Sequence, residues 1–408
     1  MKRDIQKIDW DDLGFNPLPT RSMWKGECSA GDEWVNGQLI PYGEISLSPA
    51  SCVLNYGQGC FEGTKAFRTT KNRVVLFRID LNANRMALST KRLCIPEMNK
   101  SFFIDAVKKT VLDNIDYIPP YNKGTLYIRP IVWGPSPAIG VKPVEEYTFM
   151  VFVSPVGPYF KGGVRPLHLK INKEYHRAAP KGIGNAKAIG NYSASLYPLT
   201  EAKSEGYDEV LYLDAKEDKF LEEVGSANLF VIKENKLMTP KLRGSILAGI
   251  TRDSVMRLAK DKLGFDVIET DILLNEVYNA DEVFCTGTAV SVTPVGKISD
   301  KDGVHSISDG NIGPYTTKLK KLLIGIQREE INDDFEHINA LVSICKRIPS
   351  KVNIIEYNDT DNSIFRNADD KWINNYVTTL KENRIPVSVR RSRGIDIDAA
   401  CGQLSNIY

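Results

Sequence analysis

No apolar run in this 408-residue chain approaches the length needed to cross a bilayer, which excludes a helical membrane protein. The N-terminus, Met1-Lys2-Arg3-Asp4-Ile5, lacks the apolar core of a secretory signal. Seven cysteines, Cys28, Cys52, Cys60, Cys94, Cys285, Cys345 and Cys401, are scattered without the spacing of a disulfide framework, so a small disulfide-held scaffold is excluded too. These absences lead to the expectation of a reducing, cytoplasmic setting. An excess of charge of either sign is also missing: 53 lysines and arginines stand against 51 aspartates and glutamates. That balance argues against a global electrostatic grip on nucleic acid or an anionic membrane, and points to small-molecule partners. Internal repeats and low-complexity segments are absent.

What is present suffices for one or two substantial cores, since 42% of the residues are hydrophobic. The first ~160 residues mix strands and helices. Residues 73–79 are β-rich, Asp80 is placed to cap a helix running to Leu93, and Ser101 to cap one over 102–113. Residues 125–132 and 147–153 are too apolar for exposed edges, which predicts a sheet covered by helices. The turn-rich stretch Val156-Gly157-Pro158-Tyr159-Phe160-Lys161-Gly162-Gly163 reads as a domain joint. Beyond it, strands at 209–213 and 229–233, a hairpin through Glu234-Asn235 and a helix over 251–263 are expected. The fold class is therefore α/β (α+β), with a small domain over 1–158, an interdomain loop region over 159–184, a large domain over 185–327 and an appendage over 328–408.

The chemistry concentrates around a lysine in a small-residue loop, Gly184-Asn185-Ala186-Lys187-Ala188-Ile189-Gly190-Asn191-Tyr192, followed by Leu221-Glu222-Glu223-Val224-Gly225-Ser226-Ala227-Asn228-Leu229-Phe230. A Schiff-base lysine needs an uncrowded, partly desolvated setting that leaves its amine neutral, and a pyridine ring used as an electron sink needs a carboxylate beside its nitrogen. Lys187 and Glu223 supply those two parts of a pyridoxal phosphate site. In isolation such a pair is as readily a surface lysine and a strand-end acid. The surrounding blocks decide otherwise: Tyr56-Gly57-Gln58-Gly59-Cys60-Phe61-Glu62-Gly63-Thr64-Lys65-Ala66-Phe67, Leu126-Tyr127-Ile128-Arg129-Pro130, Leu247-Ala248-Gly249-Ile250-Thr251-Arg252 and Thr286-Gly287-Thr288-Ala289. Together with the lysine loop and the Glu223 strand they make six blocks in order. Gly184 to Pro294 resembles the fold-type IV, class-IV pyridoxal phosphate enzymes, and roughly Trp24 to Gln327 is similar to branched-chain amino acid aminotransferases. Glu-Val-Gly-Ser-Ala-Asn alone is shared with D-amino acid transaminases and aminodeoxychorismate lyases of the same fold; Tyr127, Arg129 and Phe61-Glu62-Gly63 tilt the resemblance toward the branched-chain group.

The resemblance implies transfer of amino groups between leucine, isoleucine or valine and 2-oxoglutarate by a ping-pong cycle in a homodimer. Lys187 would carry the cofactor and move the substrate's α-proton, Glu223 would keep the ring nitrogen protonated, and Tyr192 would sit near the ring hydroxyl. Arg85, the backbone N–H groups of Ile250 and Thr251 at a helix start, and the Thr288 hydroxyl would hold the phosphate. The Thr288 and Ala289 N–H groups and Tyr127 would bind the α-carboxylate. Phe61, Tyr56 and Tyr159 would wall the side-chain pocket, and Arg129 would meet the second carboxylate of glutamate. No metal ligand set is read. Some relatives carry a Cys-x-x-Cys redox pair just after the Gly-Thr-Ala turn; Val290 and Thr293 stand there in this chain, so that thiol regulation is expected to be absent.

A second resemblance covers about Ile331 to Leu404. Val352-Asn353-Ile354-Ile355-Glu356-Tyr357-Asn358 and Val389-Arg390-Arg391-Ser392-Arg393-Gly394-Ile395-Asp396-Ile397-Asp398-Ala399-Ala400-Cys401-Gly402-Gln403-Leu404 look like the C-terminal end of radical-SAM RNA adenine methyltransferases. In that family the residue matching Cys401 is catalytic and the one matching Asn358 contacts S-adenosylmethionine. The three closely spaced cysteines that hold the family's iron–sulfur cluster occur nowhere in this chain. Residues 331–408 carry 10 lysines and arginines against 11 acids, so only the Arg390, Arg391 and Arg393 cluster hints at RNA. An RNA-associated protein led by this tail stays open as the different-class alternative.

Overall fold

Two apolar strands too long to be left in solvent organise the first half of the chain in this computed structural model. It describes residues 8–157, 164–330, 335–348, 350–355 and 370–390, in two units, Met1–Ile331 and Asn332–Tyr408. The first unit opens with β1 (Ser22–Ser29), β2 (Gly37–Pro41), α1 (Cys52–Tyr56), β3 (Gly59–Phe61), β4 (Thr64–Arg68), β5 (Val74–Leu76), α2 (Ile79–Arg92), α3 (Lys100–Asp113), β6 (Thr125–Trp133) and β7 (Glu146–Val156). Their sheet is antiparallel, in the order β2-β1-β7-β6-β4-β5, with β3 also paired to β6. β7 is buried along nearly its whole length because it lies between β1 and β6 and beneath the helices. Met86 of α2 and Phe103 and Val107 of α3 pack with Phe149 and Val151 of β7.

Both expected helix caps lie elsewhere. α3 is capped by Asn99, whose Oδ1 accepts the Phe102 N–H at 2.7 Å, so Ser101 falls inside the first turn. The amide oxygen reaches the third helical residue from the residue before the helix, where a cap belongs. α2 starts from Arg78 in the left-handed region, φ 52°. Asp80 is consequently a first-turn acid that favours the helix dipole rather than its cap.

The rest of the first unit comprises β8 (Leu167–Asn172), α4 (Gly190–Ser193), α5 (Leu196–Ser204), β9 (Glu209–Leu213), β10 (Leu221–Val224), β11 (Ala227–Lys233), β12 (Lys236–Pro240), α6 (Ile250–Leu263), β13 (Asp266–Thr270), α7 (Leu274–Tyr278), β14 (Glu282–Gly287), β15 (Ser291–Asp300), β16 (Gly303–Ser306) and α8 (Pro314–Gln327). The strand path is β10-β9-β8-β15-β14-β11-β12-β13, and a further pairing of β10 with β11 closes six strands into a barrel. Leu169, Leu211, Leu229, Val231 and Val283 belong to one core there. A second core lies under α6 and α8, where Phe230 and Phe284 stack at 5.0 Å against Val255, Leu319 and Leu323. The start of α8 is tied down by the buried Glu282 carboxylate, which accepts the N–H groups of Tyr315 and Thr316 at 2.8 and 2.7 Å and the Thr316 hydroxyl at 2.6 Å. Gly313 is required beside it, since a Cβ there would stand 2.0 Å from the Glu282 carboxyl carbon.

Two expected boundaries shift. β8 lies inside the stretch 159–184 read as connecting loop, and it pairs in parallel with β9 and β15 as part of the barrel. At the other end the first unit continues past Gln327, because Glu330 N–H returns to the Gly325 carbonyl at 2.7 Å and Glu329 pairs with Arg73 at 2.9 Å.

The second unit contains α9 (Phe335–Arg347), β17 (Val352–Ile355), α10 (Asp370–Glu382) and β18 (Val387–Arg390). β17 and β18 pair in parallel from Val352↔Val387 to Ile355↔Arg390, with α10 in the connection, which is the crossover that parallel pairing demands. Ile338, Val342, Leu380 and Ile385 make its core. Asn358, Arg391, Arg393 and Cys401 lie outside the described residues.

Candidate active site

The lysine loop is held by both halves of the first unit: Asn185 N–H reaches the Gly244 carbonyl at 3.1 Å on the barrel side, and the other contacts come from the small sheet and α2. Lys187 donates its backbone N–H to Ser89 Oγ on α2 at 3.0 Å, its carbonyl accepts the Phe61 N–H at 3.1 Å, and Ile189 N–H reaches the Gly59 carbonyl at 3.0 Å. The side chain is thereby fixed over the Phe61 ring, 4.9 Å from its centroid, with Nζ donating to the Tyr192 hydroxyl at 3.0 Å. Burial, and then the nearby Arg85 charge, push the Lys187 amine down to about 8, against the pull of Glu62. Tyr192 moves the opposite way, up to about 12, because burial disfavours its phenolate. An amine with a lowered pKa beside a phenol that stays protonated suits a nucleophile that must lose its proton near neutrality.

Glu223, on β10, is buried. Its oxygens accept Asn228 Nδ2 at 3.1 Å and the Leu247 N–H at 3.3 Å, and it pairs with Arg177. Burial raises its carboxyl to about 7, and the Arg177 charge restrains the rise. Arg177 also donates to the Ser245 carbonyl. Sequence reasoning missed Arg177; the available signal is an isolated arginine ahead of the small run Ala178-Ala179-Pro180, ten positions before the lysine.

Glu62 was likewise quoted in its block and given no role. It is fully buried and takes the fork of Arg85, Nε at 2.7 Å and Nη2 at 2.8 Å, plus Asn82 Nδ2 at 2.7 Å. Burial raises a carboxyl, yet here the Arg85 charge and hydrogen bonds win and hold Glu62 below its ordinary range. The third arm of Arg85, Nη1, reaches the Ala248 carbonyl at 3.0 Å, just before α6. Ile250 and Thr251 open that helix after Gly249, and no side chain caps it. With Thr288 and Asn82 they line a small cavity of about 40 Å³.

The main cavity, about 440 Å³, brings together Phe61, Tyr127, Arg129, Lys187, Tyr192, Thr288 and Ala289. Arg129 Nη2 donates to the Tyr127 hydroxyl at 3.0 Å and its guanidinium covers Phe61 at 4.5 Å, while its buried Nε has no partner in the protein. Thr288 Oγ1 donates to the Gly63 carbonyl at 3.1 Å, and Lys65 Nζ to the Ala289 carbonyl at 3.2 Å, so the turn after β14 is pinned to β4 and the residue before it. Gly63 must be glycine here: a Cβ would come within 2.4 Å of the Tyr127 hydroxyl. Tyr56 does not line this cavity. It closes α1 against the left-handed Gly57 (φ 66°), is 39% exposed, and donates its hydroxyl to the Ile139 carbonyl. Tyr159 lies outside the described residues.

These groups fit pyridoxal phosphate. The uncapped α6 N-terminus offers free N–H groups to a phosphate next to Thr288, the Lys187 amine is suited to an aldehyde, and a buried Glu223 suits a ring nitrogen. Residues 59–298 match the Amino-transferase class IV family, and the chain belongs to that family. Curated relatives that it resembles include branched-chain enzymes: branched-chain amino acid aminotransferase 2, chloroplastic, of Humulus lupulus is 47% identical over 81% of each chain. Branched-chain-amino-acid aminotransferase 1, mitochondrial, of Arabidopsis thaliana is 44% identical over 80% of this chain and 84% of that one. Among solved structures, the Escherichia coli branched-chain amino acid aminotransferase superposes with a TM-score of 0.67 at 28% identity, covering 77% of this chain and 97% of that one. A second branched-chain amino acid aminotransferase, from T.th. and solved with pyridoxamine 5'-phosphate, gives 0.67 at 31% identity, covering 78% and 98%.

The organellar names of the plant relatives overturn the expected cytoplasmic location. Organellar targeting segments are amphipathic and basic and have no apolar core, so the absence of such a core does not speak against an organellar location.

The lowered Lys187 pKa has a measurable sign. Below about pH 8 the protonated, unreactive amine dominates, so the rate at which cofactor-free protein takes up pyridoxal phosphate should rise about tenfold per pH unit and level off above about 8. A rise continuing toward pH 10.5, the value of an unperturbed lysine, contradicts the burial effect.

Proposed function

We propose that this site moves amino groups between L-leucine, L-isoleucine or L-valine and 2-oxoglutarate, with pyridoxal phosphate as the carrier, in a ping-pong cycle. Bound cofactor supplies an aldehyde carbon for the amino group and a protonated ring that takes up electrons. Lys187 Nζ, in its neutral form, moves the proton to and from the substrate's α-carbon. Glu223, held by Arg177, Asn228 and the Leu247 N–H, keeps a proton at the ring nitrogen. Arg85, braced by Glu62, stands with Ile250, Thr251 and Thr288 at the phosphate end. The Tyr127 hydroxyl and the Thr288 and Ala289 N–H groups receive the α-carboxylate. Phe61 gives an aliphatic side chain an apolar wall, and Arg129 gives the second carboxylate of glutamate a cation from that same wall.

The observation that carries this reading is the buried Lys187 amine, hydrogen-bonded to Tyr192 in a cavity that Arg129 and Phe61 share. The direct test is product analysis. L-leucine with 2-oxoglutarate should yield equimolar L-glutamate and the leucine keto acid, while formation of D-glutamate, or pyruvate release from aminodeoxychorismate, would assign a same-fold relative instead. Arg129→Gln should raise the KM for 2-oxoglutarate roughly tenfold or more, the worth of a charged hydrogen bond, and change that for leucine far less. Equal effects on both substrates would remove Arg129 from its role.

A homodimer is part of the proposal. Ile139 and Val141 are 91% and 85% exposed, Leu54 is exposed as well, and the Tyr56–Ile139 hydrogen bond draws the end of α1 toward them. An apolar patch of this kind suits a second copy of the chain. Sedimentation velocity should give twice the chain mass, and Ile139→Glu with Val141→Glu should halve it; a wild-type monomer at micromolar concentration contradicts the dimer. The β17-α10-β18 unit supports reading the tail as a slice of a radical-SAM barrel. It is assigned no chemistry, because the cluster cysteines are missing from the sequence, and small molecules rather than nucleic acid are the partners proposed.

A further inference from the structure

A second cavity, about 310 Å³, shares Ala289 and Val290 with the substrate cavity. Lys65, Lys123, Lys320 and Arg328 line it, and among the described residues no carboxylate does. Of the neighbouring acids, Asp11 pairs with Lys123, Glu329 pairs one oxygen with Arg73 at 2.9 Å and keeps its buried Oε2 without a partner, and Glu330 accepts the Tyr121 hydroxyl at 2.5 Å; none of the three lines the cavity. Arg328 donates to the neutral Asn122. Lys65 is half-buried and gives one of its three N–H donors to the Ala289 carbonyl at 3.2 Å. Burial first, then the Arg328 and Lys320 charges, lower its pKa to about 8, so these cations face one another across the space. Ser291 Oγ, on the same lining, is buried with no hydrogen-bond partner. Facing cations with spare donors and an orphaned hydroxyl make a cavity that lacks a negative charge.

We propose that this cavity binds a phosphate group, free or carried by a small metabolite, on Lys65, Lys320, Arg328 and Ser291, and that its occupancy strengthens substrate binding. The coupling runs through Lys65. An anion beside it keeps the ammonium protonated, and a protonated Lys65 holds the Ala289 carbonyl, so the Thr288-Ala289 turn that lines the substrate cavity is fixed more firmly. Linkage makes the effect reciprocal: bound substrate tightens the anion in turn.

The test uses the full chain loaded with its cofactor, titrated with inorganic phosphate against chloride at matched ionic strength. Phosphate should raise the thermal midpoint and lower the KM for L-leucine saturably, by about fivefold, with little change in kcat. Lys320→Gln combined with Arg328→Gln should keep wild-type constants in chloride and lose the phosphate response. In wild-type protein, phosphate should also protect Lys320 from acetylation, read by mass spectrometry, a measurement that does not depend on any variant folding. A phosphate ester that acts at lower concentration than inorganic phosphate assigns the metabolite form, and equal potency assigns the free ion. No response in the wild type, no protection, or an undiminished response in the double variant, which means an adventitious ion only or one in the substrate cavity, overturns the proposal.

Discussion

An amine buried in the seam between two sheets is useful only if the charges around it nearly cancel, and the active site is arranged around that condition for Lys187. Burial alone would strip its proton too easily, and unpaired acids would lock the proton on. Two ion pairs lie beside it, and the members of the first act on its charge directly. Glu62 with Arg85 comes from β3's end and α2, and Glu223 with Arg177 from β10 and the loop after β8. Burial lowers the Lys187 amine most, the Arg85 charge lowers it further and Glu62 pulls the other way, so the amine comes to rest near 8. Buried pairs of this kind contribute little net stability, and losing one partner leaves a lone buried charge that costs several kcal/mol. Their value here is electrostatic placement.

The same seam carries the proposed answer to how one pocket would serve two unlike substrates. Phe61 and Arg129 form one wall, the ring covered by the guanidinium at 4.5 Å, so under the proposed function an aliphatic chain and a carboxylate would meet the same surface through different atoms. The turn carrying Thr288 and Ala289 belongs to the barrel but is held from the small sheet's side by the Gly63 carbonyl and Lys65. Substrate recognition therefore depends on how the two sheets meet, more than on either alone.

Much of this was legible in the sequence, and the parts that were not share a cause. Lys187, Glu223, Tyr192, Thr288 and Arg129 stand in local blocks whose residue types fit one chemistry, and strands such as β6 and β7 announce themselves by continuous apolar character. Arg177, Glu62 and Lys65 act through partners far away along the chain, 46 positions in the case of Arg177 and Glu223, and no local pattern marks them. Barrel closure through β10 and β11 and the inclusion of β8 likewise depend on pairings that spacing does not reveal. The caps of α2 and α3 were each misplaced by two residues: Asn99 competes with Ser101 for the same role at α3, and α2 starts from the left-handed Arg78 with no capping side chain, which only geometry shows. Tyr56 stood in the right block, yet its ring lies away from the cavity of its own chain. Location was not legible at all, because an amphipathic, basic targeting segment has no apolar core to look for.

The measurement that bears most directly on the account is the absorption spectrum of purified protein loaded with pyridoxal phosphate, recorded before and after L-leucine and then 2-oxoglutarate, beside Lys187→Ala. The account predicts a visible cofactor band that leucine bleaches and 2-oxoglutarate restores, and that Lys187→Ala alters. A folded protein that binds the cofactor with no such band, or whose band ignores leucine, would contradict it.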